Sequence, residues 1–315
     1  MLNALTVDLE DWFQVSNVAC LIAFEQWGEC EARLSATVRR LLKLLAAADV
    51  RATFFVLGWN AEHFPALVQE IAGAGHEVGS HGYAHQLVFE QSPAQFQADL
   101  TRATTAIHEA CGVRPSSYRA PSFSITADSG WALAVLAEQG FRVDSSVFPV
   151  LHERYGFPGA PRLPYRIRVN GQSQLVEAPP STLPQAGHNH PFAGGANFRL
   201  HPYPVVRSLC RCLNRRGEPV IFYLHPWELD PGLPRFPLSR FRRLRSYANL
   251  HDTERRLTRL LRDLQFGTLS DVLSHTPPAG EWCVPHSRGQ VLLGGSRVAA
   301  PAWATRSRGD RDRME

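Results

Sequence analysis

The sequence predicts an α/β fold with a mostly parallel sheet, open or closed into a barrel. Two observations carry this. Short apolar runs alternate with helical apolar periodicity over most of the chain, and acidic or histidine-containing clusters follow the predicted strands, where α/β folds commonly place their chemistry. At 315 residues the chain suits one α/β barrel of about 250 residues with a tail as well as it suits two domains.

Residues 4–7 read as a short buried strand ending in the acids of TVDLED. Leu34, Val38, Leu41, Leu42 and Leu45 then repeat at helical spacing, and ATFFVL at 52–57 is the next strand. A helix over 65–75 closes on Gly75, and HEVGSH at 76–81 is a short strand running into a loop. Ser92 followed by Pro93 caps a helix whose apolar face is Phe96, Leu100, Ala103 and Ile107, with Gly112 as its stop. A helix over 129–139 and the strand FRVDSS follow. From 148 to 202 proline and glycine are dense, and the one clear element is a hairpin, YRIRV and QLVEAP, about Asn170-Gly171; this reads as an insertion over one face of the sheet. Alternation returns with a helix at 205–214, the apolar strand VIFYL at 220–224 and a helix at 253–264. Residues 1–275 are thus expected to form the folded domain, with 276–315 a flexible tail.

Composition narrows the class. Apolar residues are 44% and charged residues 20%, enough for a sizeable core and unlike a disordered or fibrous chain. The net charge of +4 is too small to argue for nucleic acid, and after His286 six arginines against three acids carry most of that surplus. No run reaches the roughly 18 uncharged apolar residues of a membrane span, and the N-terminus lacks a basic leader; a soluble, cytoplasmic protein is expected. The six cysteines are scattered without zinc-ribbon or redox spacing and read as buried, reduced thiols.

Four polar clusters could carry chemistry. Asp8, Glu10 and Asp11 place three carboxylates within four residues. They repel one another unless a cation or proton intervenes, so the cluster is either a solvated strand end or a metal-and-base site. Alternation puts Asp8 and Glu10 on one face and brings in Asp11 only if the strand ends or bulges there, which leaves the ligand open between Glu10 and Asp11. His81 and His85, at i and i+4, can meet one cation from a helical turn or tight loop; with a carboxylate they would make a two-histidine, one-carboxylate site. Arg119 could hold a carboxylate ionised, or be a surface arginine. His225, ending a buried strand, is either a satisfied core histidine or a general acid. Trp227 beside it could stack on a sugar ring or belong to the core. Arg235, Arg240, Arg242, Arg243 and Arg245 form a basic cluster that reads as a solvated face or as a contact for an acidic polymer.

In chain order, TVDLED, SHGYAH, YRAPSFS, VDSSVFP and FYLHPWE resemble the motifs of the polysaccharide deacetylases with a NodB homology domain, carbohydrate esterase family 4. DxEDWFQV, GGANFRLHPY, HPWE and the segment at 249–266 are similar to the branch found with exosortase-type exopolysaccharide loci. The resemblance implies a distorted (β/α)7-type barrel and a divalent cation, commonly zinc with cobalt or nickel as substitutes. It implies metal ligands His81, His85 and one of Glu10 or Asp11, a catalytic base Asp8 oriented by Arg119, and a general acid His225. It further implies that Leu224 lines the acetyl pocket, that Asp144 supports His225, and that Tyr118, Pro121 and Trp227 flank the substrate. The activity implied is removal of N-acetyl groups from N-acetylhexosamine units of an exopolysaccharide or its precursor, with association with exopolysaccharide synthesis machinery and no nucleic acid. Typical members have two adjacent aspartates in the first motif, whereas Leu9 and Glu10 separate Asp8 from Asp11 here. A silent carbohydrate-binding protein and a metal-free amidohydrolase are the competing readings.

Overall fold

The computed structural model describes residues 1–152, 155–169, 172–278 and 280–283. Its strands are β1 (Leu2–Leu9), β2 (Thr53–Val56), β3 (Glu77–Ser80), β4 (Ser117–Tyr118), β5 (Val143–Asp144), β6 (Tyr165–Val169), β7 (Gln172–Glu177), β8 (Thr182–Gln185), β9 (His188–Pro191), β10 (Ile221–Leu224), β11 (Gln265–Gly267) and β12 (Glu281–Trp282). The helices are α1 (Leu34–Ala47), α2 (Gly58–His63), α3 (Pro65–Gly73), α4 (Pro93–Cys111), α5 (Ala132–Glu138), α6 (Gly195–Leu200), α7 (Tyr203–Arg215), α8 (Arg240–Tyr247), α9 (Leu250–Asp263) and α10 (Leu269–His275).

The strands β10-β1-β2-β3-β4-β5-β7 run side by side, each parallel to its neighbour. The α/β class and the mostly parallel sheet read from the sequence are therefore present, with β6 antiparallel on β7 and β12 beyond it. Between β7 and β10 no ladder forms among the described residues. Ser181 spans the gap, its N–H donating to the Ile221 carbonyl at 3.1 Å and its hydroxyl accepting from the Ile221 N–H at 2.8 Å. This makes the barrel a distorted one.

Alternation along β1 explains both of its faces. Leu5, Val7 and Leu9 point outward into one core with Leu34, Val38, Leu41 and Leu45 of α1 and with Val206 and Leu257 from α7 and α9. Thr6, Asp8 and Glu10 take the other parity and face inward, buried. Each fully buried leucine in such a core contributes about 1.5–3 kcal/mol, so the outer face fixes the strand and with it the direction of the inner acids. α4 starts as expected, with the Ser92 hydroxyl accepting from the Gln95 N–H and Gly112 closing it in the left-handed region.

The insertion holds more than one hairpin: β8 and β9 form a second, and α6 follows. α6 packs closely because Gly194, at φ +132°, has no Cβ; one there would lie 2.0 Å from the Tyr223 carbonyl oxygen. The Asn170-Gly171 turn lies outside the described residues, as does most of the segment expected to be a tail. Within that segment, however, residues 281–282 pair with β6, and Trp282 packs edge-on against Phe157 and Tyr165. The cysteines are all free; Cys210 is buried, whereas Cys20 and Cys283 are exposed. Among the described residues no helix is long and apolar enough to cross a membrane.

Candidate active site

Parallel strands bring their C-terminal ends to one side of a sheet, and five of those ends supply the site. Thr6 pairs with Tyr223 and Val7 with Leu224, so Asp8 and His225 emerge side by side. Ser80 pairs with Tyr118 and Tyr118 with Asp144, which sets His81, Arg119 and Ser145 in a row one residue further on.

Arg119, fully buried, is the hub. One terminal nitrogen donates to Asp8 Oδ1 at 2.8 Å and to the Thr6 hydroxyl at 2.7 Å; the other donates to Ser145 Oγ at 2.7 Å, and its Nε donates to the Ser145 carbonyl. The face of its guanidinium lies 4.3 Å from the Phe55 ring centroid. A planar fork held at every edge fixes the rotamer of Asp8. It leaves Asp8 Oδ2 facing His225 Nε2 at 3.8 Å.

Below this pair, Glu10 Oε1 lies 3.0 Å from both His81 Nε2 and His85 Nε2. These three ligand atoms are within 4.8 Å of one another, all on buried residues. His81 Nδ1 lies 2.7 Å from the Arg119 carbonyl; a carbonyl cannot donate, so Nδ1 carries the proton and Nε2 is turned to the cluster. The His81–His85 segment is a loop, not a helical turn. It turns on Gly82, at φ +75°, where a Cβ would sit 2.8 Å from Asp99 Oδ2, and His85 itself is held at φ +53°. Burial raises the Glu10 carboxyl, but the charge of His85 and His225 and the hydrogen bonds from the His81 and His85 imidazoles outweigh it and hold Glu10 well below the ordinary range.

Of the two carboxylates between which the sequence left the choice open, Glu10 is the one that joins the imidazoles. Asp11 is outside the cluster: its Oδ2 accepts the N–H groups of Arg33 and Leu34 at 2.7 and 2.9 Å, at the start of α1, and its Oδ1 accepts that of Trp12. The chain leaves β1 in a turn at this point, so Asp11 is aimed at the helix terminus.

Several expected substrate residues point elsewhere, for one physical reason. Tyr118, Asp144 and Leu224 precede by one residue the side chains that face the site, and in a strand one step reverses the face. Leu224 is in the outer core with Leu5 and Val7, and Tyr118 packs edge-on against Phe96 and Phe141. Pro121 is buried at the start of a short 3-10 turn, and it is the next residues, Ser122 and Phe123, that reach the cavity. Asp144 does not touch His225. It lies opposite Glu177 on β7 and accepts from the Ser146 hydroxyl; burial pushes its carboxyl up to about 6, and burial with the Asp144 charge holds Glu177 well above the ordinary carboxylate range.

The support of His225 is Glu228, which the sequence analysis did not single out. Glu228 Oε1 accepts from His225 Nδ1 at 2.9 Å, and Oε2 accepts from Arg199 Nε at 2.6 Å, both partners of the pair fully buried. The spacing His225–Glu228 over one turn of 3-10 helix was the available signal; Arg199, in the insertion, had none. Burial opposes the charge on His225, but Glu10, Glu228 and Asp8 prevail and raise it to about 9. Glu228 itself, despite burial, is drawn down to about 2 by Arg199 and His225. Trp227 stacks on His225, with centroids 5.2 Å apart and rings 22° from parallel, and both line a cavity of about 330 Å³ with Asp8, Glu10, His85 and Tyr223.

A buried acid–histidine pair above a two-histidine, one-carboxylate cluster lies at the C-terminal mouth of a parallel α/β barrel, a donor set of the kind that could hold a metal ion. More particularly, residues 22–143 match the model of the polysaccharide deacetylases. Residues 145–274 match a domain of unknown function, DUF3473. The site draws on both: His81, His85 and Arg119 lie in the first segment and Arg199, His225 and Glu228 in the second. Among curated proteins, the chain is 33% identical over 112 residues, 35% of its length, to a peptidoglycan deacetylase-like protein FGM2 of Gibberella zeae, and 31% identical over 140 residues, 44% of its length, to a peptidoglycan deacetylase of Helicobacter pylori. It spans 32% and 43% of the length of those two relatives. The fold resembles a crystal structure of a putative polysaccharide deacetylase from Mycobacterium smegmatis, with a TM-score of 0.60 at 22% identity over 93% of this chain and 94% of that one.

Proposed function

We propose that the chain is a metal-dependent N-deacetylase that hydrolyses the N-acetyl groups of N-acetylhexosamine units in a polysaccharide, an exopolysaccharide or its precursor. The observation that carries this reading is the facing of Asp8 and His225 across the cavity directly over the Glu10–His81–His85 cluster. The curated relatives, named as peptidoglycan deacetylases, support an N-acetylated glycan as the substrate class.

The donor set fits zinc, and cobalt or nickel equally: two imidazole nitrogens and one carboxylate oxygen converge, buried, with Glu10 and His85 also bordering the cavity so that positions remain open on that side. Such a cation, when bound, supplies Lewis acidity that lowers the pKa of water and polarises an acetyl carbonyl. Asp8 takes the proton of the attacking water through Oδ2, while Arg119 holds Oδ1 and keeps that oxygen aimed. As the water oxygen bonds to the acetyl carbon and the carbon–nitrogen bond breaks, His225 gives its Nε2 proton to the leaving amine. Glu228 on Nδ1 fixes the ring and favours its charged form. The products are acetate and a free sugar amine.

Protein stripped and reloaded with zinc is expected to release acetate from N-acetylglucosamine oligomers. Asp8→Asn should keep the zinc and lose about 10²–10⁴-fold in turnover, the usual contribution of a general base. Full turnover in that variant, or stoichiometric zinc without acetate release from any N-acetylated glycan, would defeat the proposal.

A further inference from the structure

One side of the cavity is lined by α8, RFRRLRSY, a helix of about 12 Å. Phe241, Arg242 and Arg245 line the cavity together with Asp8 and His225. Arg240, Arg242 and Arg243 are exposed and Arg245 is half-buried. Among the described residues none of these four lies in a salt bridge, whereas the nearby Arg199, Arg255 and Arg256 each hold a carboxylate. Four like charges on two turns of helix repel one another, and among the described residues no carboxylate pairs with any of them; the Arg245 guanidinium lies 5.7 Å from the Phe241 ring centroid. Phe241 and Leu244, one turn apart on the same helix, are 67% and 53% exposed.

This basic helix is tied to the reaction centre. Arg199 donates to the carbonyls of Arg245 and Ala248 at 2.6 and 2.7 Å, and the same guanidinium holds Glu228, the partner of His225. The positive charge therefore sits at a fixed place relative to the general acid.

We propose that the glycan taken by this site is polyanionic, with carboxylate-bearing sugars flanking the reacting one, and that Arg242 and Arg245 are the residues that read those carboxylates. The proposal deepens the deacetylase reading, on which it rests for the identity of the reacting sugar. Guanidinium forks match carboxylates in bidentate geometry, and the exposed Phe241 ring offers a face on which a sugar can stack. A glycan is favoured over a bilayer because Phe241, Arg242 and Arg245 border the same cavity as Asp8, so a sugar chain seated there lies beside them.

The test uses the full, zinc-loaded chain and two probes of equal length: a neutral N-acetylglucosamine oligomer, and the same oligomer oxidised to carboxylate at alternate C6 positions. Calorimetry at about 0.1 M salt is expected to show the carboxylated probe binding roughly tenfold tighter or more, a preference that weakens with added salt. In Arg242→Gln/Arg245→Gln that preference should collapse to near unity. Equal binding of both probes by the native chain, or a preference that survives in the double variant, overturns the proposal. So does co-sedimentation with anionic phospholipid vesicles in the absence of any probe preference, which would make α8 a membrane contact. A preference that stands while neither probe yields acetate supports the anionic glycan and counts against the deacetylase reading alone.

Discussion

The two carboxylates that follow β1 differ by one position and are expected to fail in opposite ways when their charge is removed. Glu10→Gln withdraws the carboxylate oxygen that lies 3.0 Å from both the His81 and the His85 imidazoles. Loss of an outer partner of a metal ligand already costs about 10–100-fold in affinity. Loss of one of three direct ligands should therefore exceed roughly 100-fold, about 2.7 kcal/mol or more. Asp11→Asn leaves those three atoms untouched. It weakens acceptance of the Arg33, Leu34 and Trp12 N–H groups, a helix cap worth about 1–2 kcal/mol, or a few degrees in melting temperature for a chain of this size. The assay is a competition titration of stripped protein with zinc against a chromophoric chelator, beside calorimetric melting. Glu10→Gln should lose zinc and Asp11→Asn should lose stability while binding zinc as the native chain does. Equal loss of zinc in both variants, or loss in Asp11→Asn alone, would refute the assignment of Glu10 as the ligand and of Asp11 as the cap of α1.

Two further outcomes follow from the same geometry. The His225 imidazole, raised to about 9 in the metal-free chain from an ordinary value near 6.5, stabilises the fold fully below about pH 6.5, and this contribution is lost as pH rises through about 9. The gap corresponds to about 3 kcal/mol, read as the difference between native and His225→Asn chains in urea unfolding at pH 6 and at pH 10; a difference that does not change with pH would contradict it. Glu228→Gln should cost about 3–5 kcal/mol because it strands the fully buried Arg199 without its counter-ion. Arg199→Met added to it should recover part of that loss in melting experiments, and a double variant less stable than the single one would contradict the pairing.

Much of the architecture was legible because it rests on local patterns. The apolar period of α1, the Ser92 cap and the Gly112 stop of α4, and the apolar runs of β1, β2 and β10 each need only a few neighbouring residues to be recognised, and each forms as read. The spacing of His81 and His85, and the acids after β1, were likewise visible as sequence. The remainder was not, because its cause is long-range. Arg199 meets Glu228 across 29 positions and Arg119 meets Asp8 across 111, distances over which no local pattern carries information.

What the sequence by itself determined was the inventory: an α/β chain with carboxylates, paired imidazoles, an arginine and a further histidine at the ends of its strands. Tertiary structure decided which of them meet. Strand parity turned Tyr118, Asp144 and Leu224 away from the site by a single step, the start of α1 claimed Asp11, and the packing of α6 against β10 delivered Arg199 to Glu228 and set the arginines of α8 beside the cavity. Residue type supplies the chemistry, but direction and partnership depend on how the outer faces of the strands are buried, and that is fixed only when the whole barrel packs.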